Sequence, residues 1–213
     1  MLMTRIKICG VSREADIKAV NIVLPDYIGF VFAQSRRQVS PEQALQLRSL
    51  LDGRIISVGV FVDGDAEQIL SLYERGVIQM AQLHGQNVAD CLTRIKGYAR
   101  DLPVIAAIPV DDGQALPWPL PQGADHLLFD NHNPGSGYAF DWNRLSSLRG
   151  LIQGSSFIAG GINEDNIGKA LALQPFCVDV SSGVETNGHK DPEKIRSLVQ
   201  QVRETLLSEG RAS

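Results

Sequence analysis

Strand-like and helix-like segments alternate along almost all of the 213 residues. Helix-period segments separate most of the apolar runs and open with Ser, Asp or Asn, whose side chains cap the first amides of a helix. Such alternation predicts right-handed crossovers and a parallel sheet. Eight short runs rich in Val, Ile and Phe are the predicted strands: RIKIC, YIGFVF, IISVGVF, MAQLH, PVIAAIP, HLLFD, SFIAGG and CVDVSS.

Two parallel architectures accommodate eight such units, an open doubly wound sheet and a closed (β/α)8 barrel. The glycine-rich phosphate loop of the open sheet is missing after the first strand, and the strands recur about every 25 residues, near the lower size limit of the barrel. We therefore predict one α/β domain over residues 1–213, a single (β/α)8 TIM barrel. Three prolines in DDGQALPWPLPQG, after the fifth strand, predict a weak or missing fifth helix.

The composition excludes several classes of function. Hydrophobic content of 44% and charged content of 21% are typical of globular proteins, and a net charge of −4 argues against a nucleic-acid partner. The N-terminus lacks a signal-peptide pattern and no apolar run approaches the ~18 residues of a membrane span, so we expect a cytoplasmic protein without a membrane partner. Three cysteines and four histidines show no disulfide or metal-ligand spacing, so no metal or cofactor is expected. A monomer is favoured over a dimer.

In a barrel of this kind, chemistry gathers at the carboxyl ends of the strands, where the βα loops surround one opening. The residues at these ends supply one thiol, two carboxyl groups, one guanidinium group, one imidazole and two turns of small residues. They are Cys9, Arg37, His84, Asp130, Gly160, Gly161, Asp179, Ser181 and Ser182.

The alternation of side chains along a strand places Lys7 and Cys9 on one face of the first strand, opposite Ile6 and Ile8. Polar side chains on the inward face and apolar ones on the outward face fit a barrel. Because closure makes the first and eighth strands neighbours, we predict that Lys7 pairs with Asp179 inside the barrel.

The segments AGGI and SSGVE follow the seventh and eighth strands. Glycine lets backbone amides approach an anion closely, and a helix opening at Ser-Ser-Gly adds further N–H groups. Either segment alone is equally compatible with a plain tight turn, but the loops after these two strands are the usual phosphate site of the fold. The predicted phosphate ligands are Gly160, Gly161, Ser181, Ser182 and Gly183.

Structural interpretations compete with the functional ones. A cysteine in a strand is often an inert buried hydrophobe, which we expect for Cys177, whereas for Cys9 catalysis and packing remain equally open. Asp130 fits a turn as well as catalysis, and His84 fits a core position as well as a binding site. His126 begins its strand and is expected to be structural at the opposite end of the barrel.

Seven segments together resemble the phosphoribosylanthranilate isomerase family of tryptophan biosynthesis over about residues 4 to 203. The resemblance implies a (β/α)8 barrel with a poor fifth helix and an Amadori rearrangement of a phosphoribosyl substrate. The segments are KICGVS, GFVFAQSRRQV, QLHG, LLFDN, GSGYAFDW, AGGINEDNI and DVSSGVETNGHKD.

The resemblance also implies roles. Asp130 would protonate the ring oxygen of the sugar, and Cys9 would remove the proton from C2′. For these roles we expect the pKa of Asp130 to be raised and that of Cys9 to be lowered by nearby cations and amides. The resemblance further implies that the rest of the substrate is bound by Lys7, Arg37, His84 and Asp179.

One position departs from the family pattern. Family members commonly have Ser-Pro-Arg where this chain has Ser35, Arg36 and Arg37. Alignment favours Arg37 as the ligand of the anthranilate carboxylate, with Arg36 pointing elsewhere, but the two neighbouring arginines leave the choice open.

Two alternatives stand beside this interpretation. A related aldose–ketose isomerase of the histidine pathway would carry an aspartate at position 9, where this chain has a cysteine. A catalytically silent phosphosugar-binding barrel would keep the glycine turns but lose Cys9 or Asp130, and both residues are present.

Overall fold

A computed structural model describes residues 4–110, 116, 119–131, 142–154 and 156–209. Eight parallel strands form a closed barrel in which each strand pairs with the next and the eighth pairs with the first. The predicted (β/α)8 architecture is thereby confirmed. The strands are β1 (Arg5–Cys9), β2 (Tyr27–Val31), β3 (Ile56–Val62), β4 (Met80–His84), β5 (Val104–Val110), β6 (His126–Asn131), β7 (Phe157–Ile158) and β8 (Cys177–Val180).

Helices cover the outside of the barrel. The predicted weakness of the fifth helix concerns residues 111–123, most of which lie outside the described residues. The helices are α1 (Glu14–Val23), α2 (Pro41–Leu50), α3 (Ala66–Glu74), α4 (Val88–Tyr98), α5 (Trp142–Ser147), α6 (Arg149–Ile152), α7 (Ile167–Leu171) and α8 (Pro192–Glu209).

A short hairpin, which the sequence pattern did not predict, follows β8. It consists of β9 (Glu185–Thr186) and β10 (His189–Lys190), which pair antiparallel. The turn between them, Asn187 and Gly188, has φ values of +52° and +78°, the left-handed backbone that a two-residue hairpin turn requires. The hairpin places the side chain of Glu185 beside the barrel opening.

Helix capping follows the predicted residues only in part. Ser40 and Asp65 each accept an amide hydrogen bond in the first turn of α2 and α3. Asn87, before α4, makes no such bond. Ser12 opens the first helix-period segment, but it is the carboxylate of Asp16 in α1 that accepts hydrogen bonds there, from the amides of Ser12 and Arg13. An acidic residue inside the first turn therefore stabilises the N-terminal end of this helix.

The buried side chains form two layers, one on each face of the sheet. Ile6 and Ile8 belong to the outer layer, between strands and helices. Tyr27, Leu128 and Phe157 belong to the inner layer, which fills the barrel interior. The alternation predicted for β1 is thereby confirmed, and apolar side chains occupy the interior of the barrel.

The longest described helix, α8, packs on α1 and β1 through a stripe that includes Ile195, Leu198 and Val202, all buried.

Within the described ranges, no helix combines the length and apolar character that a bilayer crossing demands.

Candidate active site

The carboxyl ends of the strands surround a cavity of about 450 Å³. Two predicted site residues, Lys7 and Gly183, are absent from its lining, and of these Lys7 is fully buried. The structure thus brings most of the predicted residues together in one place. The nine that line the cavity are Cys9, Arg37, His84, Asp130, Gly160, Gly161, Asp179, Ser181 and Ser182.

Lys7 and Asp179 form an ion pair beneath the cavity, as predicted. The Nζ atom of Lys7, which is fully buried, donates to Oδ2 of Asp179 at 2.7 Å and to Oε1 of Gln82 at 2.8 Å. Burial alone would lower the pKa of Lys7, but the charges and hydrogen bonds of Asp179 and Cys9 together outweigh burial and raise the pKa. Lys7 therefore stays an ammonium ion below the cavity floor instead of projecting into the cavity.

Cys9, at the end of β1, lies directly above this pair. The ammonium group of Lys7 is within hydrogen-bonding reach of the thiol. Burial raises the pKa of Cys9, and the charge of Lys7 offsets only part of the rise. The predicted lowering of this pKa is thus wrong for the free protein, because desolvation outweighs the nearby cations.

Gly29 of β2 makes room for the thiol. A Cβ atom at position 29 would lie 2.8 Å from Sγ of Cys9, which is too close for two non-bonded heavy atoms. The site therefore requires a glycine at position 29 of YIGFV, a residue that the sequence analysis did not single out.

His84, at the end of β4, is held by Gln82 two residues earlier, with 2.8 Å between Nε2 of each. Because Oε1 of Gln82 accepts from Lys7, its amide nitrogen donates to His84, which leaves the ring proton on Nδ1. Burial, assisted by the charge of Lys7, lowers the pKa of His84 to about 4. The imidazole is therefore neutral at pH 7. The sequence analysis missed Gln82, although strand alternation places it on the same face as His84.

Asp130 ends β6 and lines the cavity with only 8% of its surface exposed. It shares the inward face of its strand with Leu128, a member of the inner apolar layer. The rigid strands β1 and β6 thus carry a thiol and a carboxyl group into the same cavity.

The loops after β7 and β8 lie against each other. Gly160 and Gly161 have φ values of +98° and +66°, which side-chain-bearing residues rarely adopt. A Cβ atom at Gly183 would overlap the carbonyl oxygen of Ile162. Nδ2 of Asn166 donates to the carbonyl of Gly161 at 2.9 Å and fixes the first loop. Backbone atoms of both loops can therefore approach one ligand.

Arg37 lines the cavity and is bound to Glu185 of the hairpin. Its Nε and Nη2 atoms donate to the two carboxylate oxygens at 2.7 and 3.0 Å. Arg36 also donates to this carboxylate, at 2.6 Å, but it is absent from the cavity lining, as expected for a side chain that points away from the substrate. Lys190, from the second strand of the hairpin, also donates to Glu185, at 2.9 Å. Only Arg37 of the two arginines reaches the cavity lining.

The charge of Glu185 is strongly stabilised. Burial would raise its pKa, but the hydrogen bonds from Arg37 and Lys190 outweigh burial and lower the pKa to about 2. Burial lowers the pKa of Lys190, an effect that Glu185 partly offsets. The sequence analysis missed Glu185, because nothing in the local sequence pattern indicated that Glu185 contacts Arg37 in the folded chain.

Comparison with known proteins assigns the chain to a family. A family model described as N-(5′-phosphoribosyl)anthranilate isomerase matches residues 6–201. The chain belongs to the phosphoribosylanthranilate isomerase family. The N-(5′-phosphoribosyl)anthranilate isomerase of Endomicrobium trichonymphae is 44% identical over 206 residues, covering 94% of this chain and 99% of that protein. Membership makes this chain an isomerase of tryptophan biosynthesis.

Solved structures of phosphoribosylanthranilate isomerases share the barrel. The enzyme from Thermus thermophilus is 34% identical and superposes with a TM-score of 0.83, covering 95% of this chain and 100% of that one. Another is 29% identical with a TM-score of 0.77 at the same coverage, and was solved in complex with reduced 1-(o-carboxyphenylamino)-1-deoxyribulose 5-phosphate. The phosphoribosylanthranilate isomerase site is therefore a small-molecule site.

Within the part of the chain that the structure describes, no three His, Cys, Asp or Glu side chains cluster in a way that could hold a metal ion. The cavity of this phosphoribosylanthranilate isomerase is lined instead by one thiol, Cys9, and by the carboxyl groups of Asp130 and Asp179.

Proposed function

We propose that this protein catalyses the Amadori rearrangement of N-(5′-phosphoribosyl)anthranilate to 1-(2-carboxyphenylamino)-1-deoxy-D-ribulose 5-phosphate, the third step from chorismate to tryptophan. The reaction needs one group that gives a proton and one that takes a proton. The observation that carries the proposal is the presence of Asp130 and Cys9 in one cavity, on separate rigid strands.

Asp130 is the general acid of the proposal. It protonates the furanose ring oxygen, and the aminoaldose opens to a Schiff base. At an ordinary pKa of ~3.9 only about one aspartate in a thousand holds a proton at pH 7. Asp130 is buried and lines the cavity, which supports a role in direct contact with the sugar.

Cys9 is the general base. Its thiolate removes the proton from C2′ of the Schiff base, and the resulting enolamine tautomerises to the ketone. Because burial raises the pKa of Cys9, the thiolate is the minor form at neutral pH but a correspondingly stronger base. The Lys7 ammonium ion beneath it supports the thiolate as it forms, so Lys7 acts through Cys9 and not through the substrate.

The phosphate group of the substrate binds between the loops after β7 and β8. Gly160, Gly161, Ser181 and Ser182 line the cavity there, and Gly183 supports the site by letting the two loops touch. Backbone amides in a glycine-rich turn suit a phosphate dianion.

The remaining contacts orient the sugar and the anthranilate ring. Arg37 binds the benzoate carboxylate, since a guanidinium group forms two parallel hydrogen bonds with a carboxylate. Oδ1 of Asp179 is buried with no hydrogen-bond partner among the described residues and belongs to a cavity-lining residue, so it accepts from a sugar hydroxyl. The neutral ring of His84, which also lines the cavity, is a further polar contact of the substrate.

Growth of a tryptophan auxotroph that lacks this step tests the proposal. The wild-type gene should restore growth, and the Cys9→Ser and Asp130→Asn genes should not. If the wild-type gene fails while the purified protein binds the phosphosugar, the chain is a silent barrel. If the purified protein isomerises the histidine-pathway aminoaldose and not phosphoribosylanthranilate, the related isomerase is the correct assignment.

We further propose that the chain works as a single-domain monomer in the cytoplasm, without an added cofactor. The cavity lies at one end of a single closed barrel, and a phosphorylated substrate is retained inside a cell. Light scattering of the purified protein should give the mass of one chain, and a mass of two chains would reject the monomer.

A further inference from the structure

The carboxylate of Glu185 binds three cations at the cavity opening. Oε1 accepts from Nε of Arg37 and Nζ of Lys190, and Oε2 accepts from Nη2 of Arg37 and Nη2 of Arg36. Only 5% of the Glu185 side chain is exposed, against 56% for Arg36 and 11% for Arg37. The contact with Arg37 is therefore the buried and bidentate one, and the contact with Arg36 is a peripheral addition.

Glu185 occupies only one edge of the Arg37 guanidinium group. A guanidinium carries five N–H groups, one on Nε and two on each Nη atom. Nε and one N–H of Nη2 point to Glu185. No described residue accepts a hydrogen bond from Nη1, so the edge formed by Nη1 and the second N–H of Nη2 remains for another carboxylate. Arg37 belongs to the cavity lining, where such a carboxylate would bind.

We infer that Glu185 is a positioning residue, which holds the guanidinium group of Arg37 so that its second edge binds the substrate carboxylate. The inference rests on the carboxylate-binding role proposed above for Arg37. A free arginine side chain has many rotamers, and ordering it on binding lowers affinity. The bidentate bond to Glu185 orders Arg37 before the substrate binds, so that less conformational entropy is lost on binding.

A merely structural role for Glu185 makes a different prediction. The hairpin also depends on this residue, because Lys190 bonds to its carboxylate and Lys194 donates to its backbone carbonyl at 2.9 Å. A loosened hairpin would weaken binding of every ligand in the cavity. A lost orientation of Arg37 would weaken only ligands that carry the benzoate carboxylate.

Two stable product analogues separate these effects. One is reduced 1-(o-carboxyphenylamino)-1-deoxyribulose 5-phosphate, and the other is the same molecule with a phenyl ring that lacks the carboxylate. Calorimetry would give the dissociation constant of each for the full-length wild type and for Glu185→Gln, Glu185→Asp and Arg37→Lys. Glu193→Gln, an exposed carboxylate of α8 paired with Arg196, is the matched control.

Glu185→Gln should weaken the carboxylated analogue about tenfold, the upper end for ordering one long side chain, and the other analogue less than twofold. Glu185→Asp keeps the charge beside Lys190 but is one methylene too short to hold both nitrogens of Arg37, so it should show the same selectivity even if Glu185→Gln folds poorly. Glu193→Gln should change neither constant.

The variants distinguish two failures. If Arg37→Lys weakens both analogues equally or neither, the carboxylate-binding role of Arg37 is wrong. If Arg37→Lys is selective but both Glu185 variants weaken the two analogues equally, or weaken neither, Arg37 is the anchor and the positioning role of Glu185 is rejected.

Discussion

At the residue scale, the site depends on the balance between burial and charge around one thiol. The strand β1 aims Cys9 into the cavity, Gly29 leaves space for its sulfur atom, and Lys7 supplies a positive charge from below. The desolvation of the buried thiol nevertheless outweighs the effect of this charge, so the pKa of Cys9 is raised. The residue types could be predicted from sequence, but the direction of this shift could not, because it is the difference of two opposing effects that depend on packing.

Replacing either proposed catalytic group should abolish most of the activity without unfolding the protein. We expect Cys9→Ser and Asp130→Asn each to lose at least ~10² in kcat, the low end for removal of a general acid or base. Steady-state kinetics and circular dichroism of the purified variants would measure activity and folding. A folded variant with nearly normal turnover would remove that residue from the mechanism.

The thiol of Cys9 should titrate above the ordinary cysteine pKa of ~8.5. Thiolate absorbance at 240 nm, recorded against pH with Cys9→Ser as the blank, would isolate this group from Cys91 and Cys177. Lys7→Met should move the titration further up, since Lys7 now opposes the effect of burial. A Cys9 that titrates below the ordinary value would contradict the balance described above.

At the element scale, the loops after β7 and β8 act as one unit because Gly183 packs directly on the backbone of Ile162. The AGGI and SSGVE segments predicted where the two loops lie, since the order of strands fixes their neighbourhood. Their direct contact could not be predicted, because it depends on the path of the backbone after each strand ends.

Gly183→Ala should therefore separate the two loops and raise KM for phosphoribosylanthranilate at least about tenfold, as expected for the loss of one or two charge-assisted hydrogen bonds. Gly168→Ala in α7 is the control, because a Cβ atom at that position meets nothing within 4 Å. Kinetics of both variants would test this, and equal KM values would show that contact between the loops is irrelevant to phosphate binding.

The hairpin of β9 and β10, and its contact with Arg37, could not be predicted from the sequence. ETNGHK contains an Asn-Gly turn signal, but its two-residue strands are too short to show alternation. Glu185 and Arg37 are 148 residues apart in the chain, so only the closed barrel brings them together. Gln82 was within reach of sequence reasoning, because alternation along MAQLH places it on the same face as His84.

At the scale of the whole molecule, the barrel is closed by the pairing of its first and last strands, and Lys7 and Asp179 are paired in register across this seam. The sequence predicted both the closure and the pair, because eight units with inward-facing charges at neighbouring positions fit few other arrangements. The strand ladder and the buried ion pair both lie at this seam.

Breaking this pair on one side should be costly. Asp179→Leu leaves a buried ammonium ion unpaired and should lower the free energy of unfolding by about 3 to 5 kcal/mol. The double variant with Lys7→Met should recover most of that loss, since no charge is then left unpaired. Urea unfolding of the four proteins gives the coupling energy, and additive effects of the two substitutions would show that the pair does not interact.

The seam between β1 and β8 also has a consequence for synthesis on the ribosome. The partner of Lys7 lies 172 residues later in the chain, and translation at roughly 5–20 residues per second delivers it after about 10 to 35 seconds. Until then, a nascent chain that buried Lys7 would bury a charge without a counterion. The barrel therefore cannot close, and Lys7 cannot be buried with its counterion, until the last strand has emerged.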